Sequence, residues 1–106
     1  MQTQLIIINP DQTFEIYVNG NILVPSGQEP NFIIKNKGPA PIRAANYWAS
    51  PFGSYNLYTF IDIQPGEIKE LLRPPNPIYF YKVTAINLSN IEHAEVEVTK
   101  LITLIR

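Results

Sequence analysis

The sequence predicts an all-β fold, a single-domain antiparallel β-sandwich of the jelly-roll type, with an Ig-like topology as the alternative. Three observations carry this. Apolar and polar residues alternate with period two in short runs, the pattern of strands with one face buried. Ten prolines and five glycines punctuate those runs at the spacing expected of strands and turns. No window combines a sustained helical apolar period with a capping box and a stop signal. A chain of 106 residues is large enough for one core and too short for a second domain.

Gln4 to Asn9 is β-branched and apolar on both faces, and Asn9-Pro10-Asp11 ends it as a turn. Phe14, Ile16 and Val18 alternate with Thr13, Glu15 and Tyr17 in a half-buried strand. Asn19-Gly20 suits a type I′ turn, which predicts a hairpin between Thr13–Val18 and Ile22–Val24. Pro25-Ser26-Gly27 and Pro30 break the chain before the strand Phe32–Lys35, and Lys37-Gly38-Pro39-Ala40-Pro41 reads as a rigid turn. Ile42 to Trp48 is extended, and Ala49 to Asn56 is a loop. In the next strand Leu57, Thr59, Ile61 and Ile63 share one face and Tyr58, Phe60 and Asp62 the other. Gln64-Pro65-Gly66-Glu67 fits a type II turn leading into Ile68–Leu72. After Arg73-Pro74-Pro75-Asn76-Pro77 comes the aromatic strand Ile78–Ile86, then a loop over Asn87–Glu92. The last strand aligns Ala94, Val96, Val98, Ile102 and Leu104 on one face, interrupted by Lys100.

Composition excludes several functions. Without cysteine there is no disulfide framework, thiolate nucleophile or cysteine-held metal. Eight Lys+Arg are dispersed against nine Asp+Glu, so no basic block marks a nucleic-acid partner. No segment approaches the length of a membrane helix, so no membrane partner is expected. Met1-Gln2-Thr3-Gln4 before Leu5 lacks a basic n-region and a small-residue cleavage site, which predicts cytoplasmic synthesis without a signal peptide. Only 16% of residues are charged while 11% are aromatic, so apolar and aromatic surface remains exposed unless another chain covers it.

Catalytic constellations are absent from the pattern. His93, the one imidazole, shares a strand face with Glu95 and Glu97, but a strand spaces them in a line that does not close around an ion. None of Ser26, Ser50, Ser54 or Ser89 sits in a nucleophile-elbow context. No Gly-rich phosphate loop occurs. The chain is expected to be no enzyme, with no cofactor and no metal. Asn87-Leu88-Ser89 matches a glycosylation acceptor and reads as a plain turn.

Two features remain. Tyr47, Trp48, Phe52, Tyr55, Tyr58 and Phe60 form a denser aromatic set than a small core needs: a sugar-stacking platform, or packing and interface residues with Trp48 as a core plug. Leu5, Ile6, Ile7 and Ile8 need cover on both faces and lie near a terminus, so residues 1–10 are a candidate connector or donor strand added to another chain's sheet, with 11–106 as the sandwich. The alternative is an ordinary first strand. Ile102, Leu104 and Ile105 raise the same question at the other terminus.

Phe32-Ile-Ile-Lys-Asn-Lys-Gly-Pro-Ala-Pro-Ile42, Ile61-Asp-Ile-Gln-Pro-Gly-Glu67, Ile78-Tyr-Phe-Tyr-Lys-Val83 and Glu95-Val-Glu-Val-Thr99 together resemble the endospore appendage subunits of Gram-positive spore formers. The resemblance spans about two-thirds of the chain in strand-and-turn motifs. It implies a jelly-roll subunit that assembles into a fibre by joining sheet edges, with Met1–Pro10 in the connector's position. Family connectors carry cross-linking cysteines. This chain has none, so covalent linkage is excluded and association would rest on apolar burial and edge hydrogen bonds.

The expected function is therefore a structural subunit that self-assembles through sheet edges into a fibre or stacked rings on a cell, spore or virion surface. Leu5, Ile6, Ile7 and Ile8 are the candidate interface, with Tyr47, Trp48, Tyr55 and Tyr58 as lateral contacts. The alternatives are a carbohydrate-binding module using Trp48 and its neighbouring tyrosines, with a glycan as partner, and a phage decoration or tail protein.

Overall fold

The computed structural model describes residues 2–27 and 29–101. It contains eight strands among those residues: β1 (Gln2–Ile8), β2 (Thr13–Gly20), β3 (Asn31–Pro39), β4 (Ile42–Ala49), β5 (Asn56–Ile63), β6 (Ile68–Leu71), β7 (Phe80–Asn87) and β8 (Ala94–Leu101). They form two four-stranded antiparallel sheets, ordered β1-β8-β3-β6 and β2-β7-β4-β5. This is the jelly-roll arrangement. Only β4 and β5 are both consecutive in the chain and hydrogen-bonded to each other. No helix among the described residues is long and apolar enough to cross a membrane.

Period-two alternation sets the core. In β3, Phe32, Ile34 and Asn36 turn inward, and in β7 Tyr81, Val83, Ala85 and Asn87 do so. Ile42, Ile63, Val96 and Ile8 complete the fully buried layer between the sheets. The predicted type II turn is present: Glu67 N donates to Gln64 O at 3.0 Å, and Gly66 takes φ +89, which that turn position requires.

Four local expectations are corrected. The Asn19-Gly20 hairpin does not form; β2 continues through Gly20, opposite Phe80 of β7. A Cβ at Gly20 would lie 2.2 Å from the Phe80 ring, so this glycine serves close packing rather than a turn. Residues 22–24 form a loop instead, in which Asn21 Oδ1 accepts from Leu23 N and Val24 N. The Lys37–Pro41 segment is not wholly a turn, since β3 reaches Pro39 by a register shift between Asn36 and Gly38. Finally, the β4–β5 register shifts beside Tyr58, so Leu57 lies opposite Tyr47 and no longer shares the inward face of Thr59, Ile61 and Ile63.

Residues 1–10, expected as a connector or donor strand, contain β1 within this chain's own sheet, with Gln2 opposite Lys100 and Ile8 opposite Ala94. Met1, Ile102, Leu104 and Ile105 lie outside the described residues.

Candidate functional site

Three surfaces carry the residues singled out in the sequence. The first is the free edge of β1. Its alternation splits the four aliphatic residues: Ile6 and Ile8 are 5% and 2% exposed in the core, whereas Leu5 and Ile7 are 56% and 59% exposed on the outer face. Ile6 and Ile8 are thus committed to this chain's own core. The outward pair sits beside Glu97 and Glu95 of β8, and Thr3 and Thr99 hydroxyls meet at 2.9 Å. Among the described residues β1 pairs on one side only, and its other row of backbone groups has no strand neighbour there.

The other three sheet edges differ from it. β6 is four residues long and carries Lys69 and Glu70. β2 and β5 each contain a register irregularity, between Glu15 and Tyr17 and beside Tyr58. Short length, charge and bulges are the usual means by which an edge is made unattractive to another strand. β1 has none of them.

The second surface is a cleft of about 400 Å³ where β4 runs out of the sandwich. Trp48, Tyr58, Pro74, Pro75, Pro77 and Tyr79 line it. Trp48 is 39% exposed and forms a wall of this cleft, which corrects the reading of it as a core plug. The proline wall is pinned from behind. Arg73 N donates to Asn31 Oδ1 at 2.8 Å, and its guanidinium donates to Gly27 O and Asn76 O, each at 2.9 Å. Buried Asn46 donates to Leu72 O and the Tyr81 hydroxyl and accepts from Thr59 N. Prolines suit such an irregular wall because they bring no backbone N–H that would need a partner.

The third surface is the outer face of the β2-β7-β4-β5 sheet. Lys82 lies over Tyr55 at 4.4 Å and over Tyr47 at 5.0 Å. Arg43 stacks on Phe60 at 4.6 Å and bonds both carboxylate oxygens of Asp62, at 2.7 and 3.1 Å. That fork holds the Asp62 carboxyl below its ordinary range, while burial and then the Glu15 charge push the Tyr55 phenol up. Tyr47 and Tyr55 thus share one cation, Tyr58 joins Trp48 in the cleft, and Leu5 and Ile7 lie on the other sheet. The candidate residues form separate surfaces rather than one site.

His93 Nε2 is 3.4 Å from Glu95 Oε2 on an exposed face, and among the described residues no group of three His, Asp or Glu side chains converges. Asn87 of the Asn87-Leu88-Ser89 turn is buried; it donates to Ile8 O and Glu92 O and accepts from Ser89 N.

Sequence reasoning missed the buried polar groups that hold these surfaces in place. Glu29 is 3% exposed and accepts from Asn19 Nδ2 at 2.7 Å. Near it, burial and then the Glu29 charge raise the Tyr17 phenol to about 12, and burial likewise raises Tyr81 to about 12. Asn36, Asn46 and Asn87 are at most 1% exposed, though asparagine in an alternating strand reads as a solvent-facing residue.

A family model described as PirA-like matches residues 2–97, which takes in all the strands except the last residues of β8. The chain belongs to the PirA-like family. Among solved structures, the "Crystal structure of PirA" superposes with a TM-score of 0.85, at 19% identity and covering 92% of each chain. At that identity the likeness speaks for the fold. A comparison with curated proteins returned no match. These matches support a PirA-like β-sandwich and do not extend to the appendage subunits that the strand-and-turn motifs resemble.

Proposed function

We propose that this PirA-like chain is a non-enzymatic structural subunit that associates with copies of itself through the free edge of β1. The observation that carries the reading is the contrast among the four edges. β1 is a seven-residue strand without charge, proline or bulge, and it exposes Leu5 and Ile7, whereas each of the other edges is short, charged or bulged. Two β1 strands meeting edge to edge would join two four-stranded sheets into one and bring the Leu5 and Ile7 pairs together. Repetition through a second contact, such as the Tyr47 and Tyr55 face, would extend such pairs into a fibre or rings of the kind found in surface appendages or virions.

The test is size-exclusion chromatography with light scattering, together with negative-stain microscopy of the purified chain. Assemblies are expected for the unmodified protein and loss of them for Ile7→Lys, whose side chain is exposed and whose melting temperature should not change. A monodisperse monomer across a wide concentration range overturns the reading. Deletion of β1 is a poorer test because it removes Ile6 and Ile8 from the core.

The Trp48 cleft favours a second reading, a carbohydrate-binding module. An indole and a phenol facing a cleft of about 400 Å³, with Ser50 and Asn76 at its lining, combine a stacking surface with polar groups. Glycan-array screening with a Trp48→Ala control separates the readings: sugar binding should vanish in that variant while assembly persists.

A further inference from the structure

The two ends of the sandwich are chemically unlike. Gly20, Phe80 and Ala49 lie in one row across β2, β7 and β4, so the β2–β3 and β4–β5 connections leave the same end, with the β6–β7 connection entering there. Asn21 N donates to Tyr79 O and Ser26 pairs with Ile78, which fastens the first of these connections to the third. From this end Leu23 projects 83% exposed, Val24 63% and Ile22 42%. Phe52 is 94% exposed at the tip of the β4–β5 connection.

Phe52 is also in an unfavourable backbone conformation. Gly53 N donates to Ser50 O at 3.0 Å, closing a turn with Pro51 second and Phe52 third, where φ is +61. Glycine or asparagine is the residue this position accommodates without strain. A bulky apolar side chain is held there, pointing into water.

Charge is nearly absent from the same end. Among the described residues of the three connections only Glu29 and Arg73 are charged; Glu29 is 3% exposed and the Arg73 guanidinium is bonded to Gly27 O and Asn76 O. Behind the tips stand Trp48 and Tyr79, residue types with an apolar body and a polar handle that favour the boundary between lipid and water. The opposite end also exposes Leu88 and Ile91, at 43% and 79%, but sets them among Asp11, Glu67, Glu92 and His93 of its connections.

We propose that this nearly uncharged end docks on a lipid bilayer surface, with Leu23, Val24 and Phe52 entering the interfacial layer. Lipid is the occupant the observations favour because the apolar side chains stand on separate loop tips flanking β7. A fluid medium conforms to such projections, whereas a protein partner must offer a hollow for each. The scarcity of charge, with Arg73 held by Gly27 O and Asn76 O, fits a neutral surface, and the acidic connections lie at the end that would face away.

The sole tryptophan, Trp48, lines the cleft at this same end and reports on its surroundings. The full chain is titrated with vesicles of phosphatidylcholine, alone and mixed with phosphatidylserine, following Trp48 emission and vesicle flotation. Flotation with both compositions, a blue shift of emission and little dependence on salt are expected. The double variant Leu23→Ser, Phe52→Ser should weaken binding by more than about tenfold, with unchanged melting because both side chains are exposed. Absence of flotation overturns the proposal, as does binding confined to phosphatidylserine vesicles and abolished by salt. A double variant that floats as well as the unmodified chain, or that changes the size distribution in vesicle-free solution, assigns the tips to another role. Because flotation is read against vesicle-free controls, failure here is distinguishable from failure of assembly at β1.

Discussion

The two ends of the sandwich are held by different means. At the acidic end, two buried asparagines tie the connections together. Asn36 donates to Ala40 O and Ile63 O and accepts from Gly38 N, linking the β3–β4 and β5–β6 connections. Asn87 donates to Ile8 O and Glu92 O, and its own N–H bonds Gln12 O, linking β1–β2 to β7–β8. At the apolar end, Arg73 and Asn46 secure the base of the proline segment, while residues 22–24 and Phe52 project beyond it. Both ends leave apolar side chains in solvent, but at the acidic end Leu88 and Ile91 stand among charged residues, whereas at the other Leu23, Val24 and Phe52 stand nearly without them. Buried side chains clip both ends, and the difference between them lies in the charge around their exposed apolar residues.

Removing a clip should break the contrast most severely. Asn87→Ala leaves the buried Ile8 carbonyl, the part-buried Glu92 carbonyl and the Ser89 N–H without their partner, and a loss of about 3 kcal/mol is expected in urea unfolding. A loss below about 1 kcal/mol would mean that water replaces the amide. Next, Gly20→Ala forces a methyl against the Phe80 ring at the root of the apolar end, with an expected loss of about 2 kcal/mol.

A pH titration sharpens the comparison in another way. Tyr17 and Tyr81 have phenols raised to about 12 by burial, so the folded state holds their protons more tightly than the unfolded chain does. Their contribution to stability is full below the ordinary tyrosine value near 10, declines as the unfolded state ionises, and is lost as pH rises through about 12. Denaturant midpoints measured across that window should fall, and Tyr17→Phe should flatten the slope. The smallest effect is expected for Phe52→Gly. Relief of the positive φ should raise stability by about 0.5 to 1 kcal/mol, whereas a decrease would mean that the Phe52 ring packs in solution.

Much of the fold was legible because strands announce themselves through alternation and turns through proline and glycine. The sandwich, the positions of most strands along the chain and the type II turn at Gly66 follow from those signals. Errors arose where a local motif was read without its tertiary neighbour. Asn19-Gly20 has the chemistry of a hairpin turn, yet the glycine answers to Phe80, a residue distant in sequence. The bulge beside Tyr58 reverses which face Leu57 occupies, and period-two counting has no means of detecting an extra residue. Leu5 to Ile8 read correctly as apolar on both faces, but covering one face takes only this chain and covering the other needs something else. Asn36, Asn46 and Asn87 were invisible as core residues because their roles depend on carbonyls contributed by other connections.

The pairing of β1 with β8 also has a consequence in time. Gln2 lies opposite Lys100, so β1 leaves a ribosome with no partner until β8 has been made as well. Until then Leu5, Ile6, Ile7 and Ile8 have neither a hydrogen-bonding neighbour nor a core to enter. Such non-local pairing makes folding slow and leaves an apolar strand available to other nascent chains. The order of synthesis therefore presents β1 to its surroundings before the sandwich can claim it.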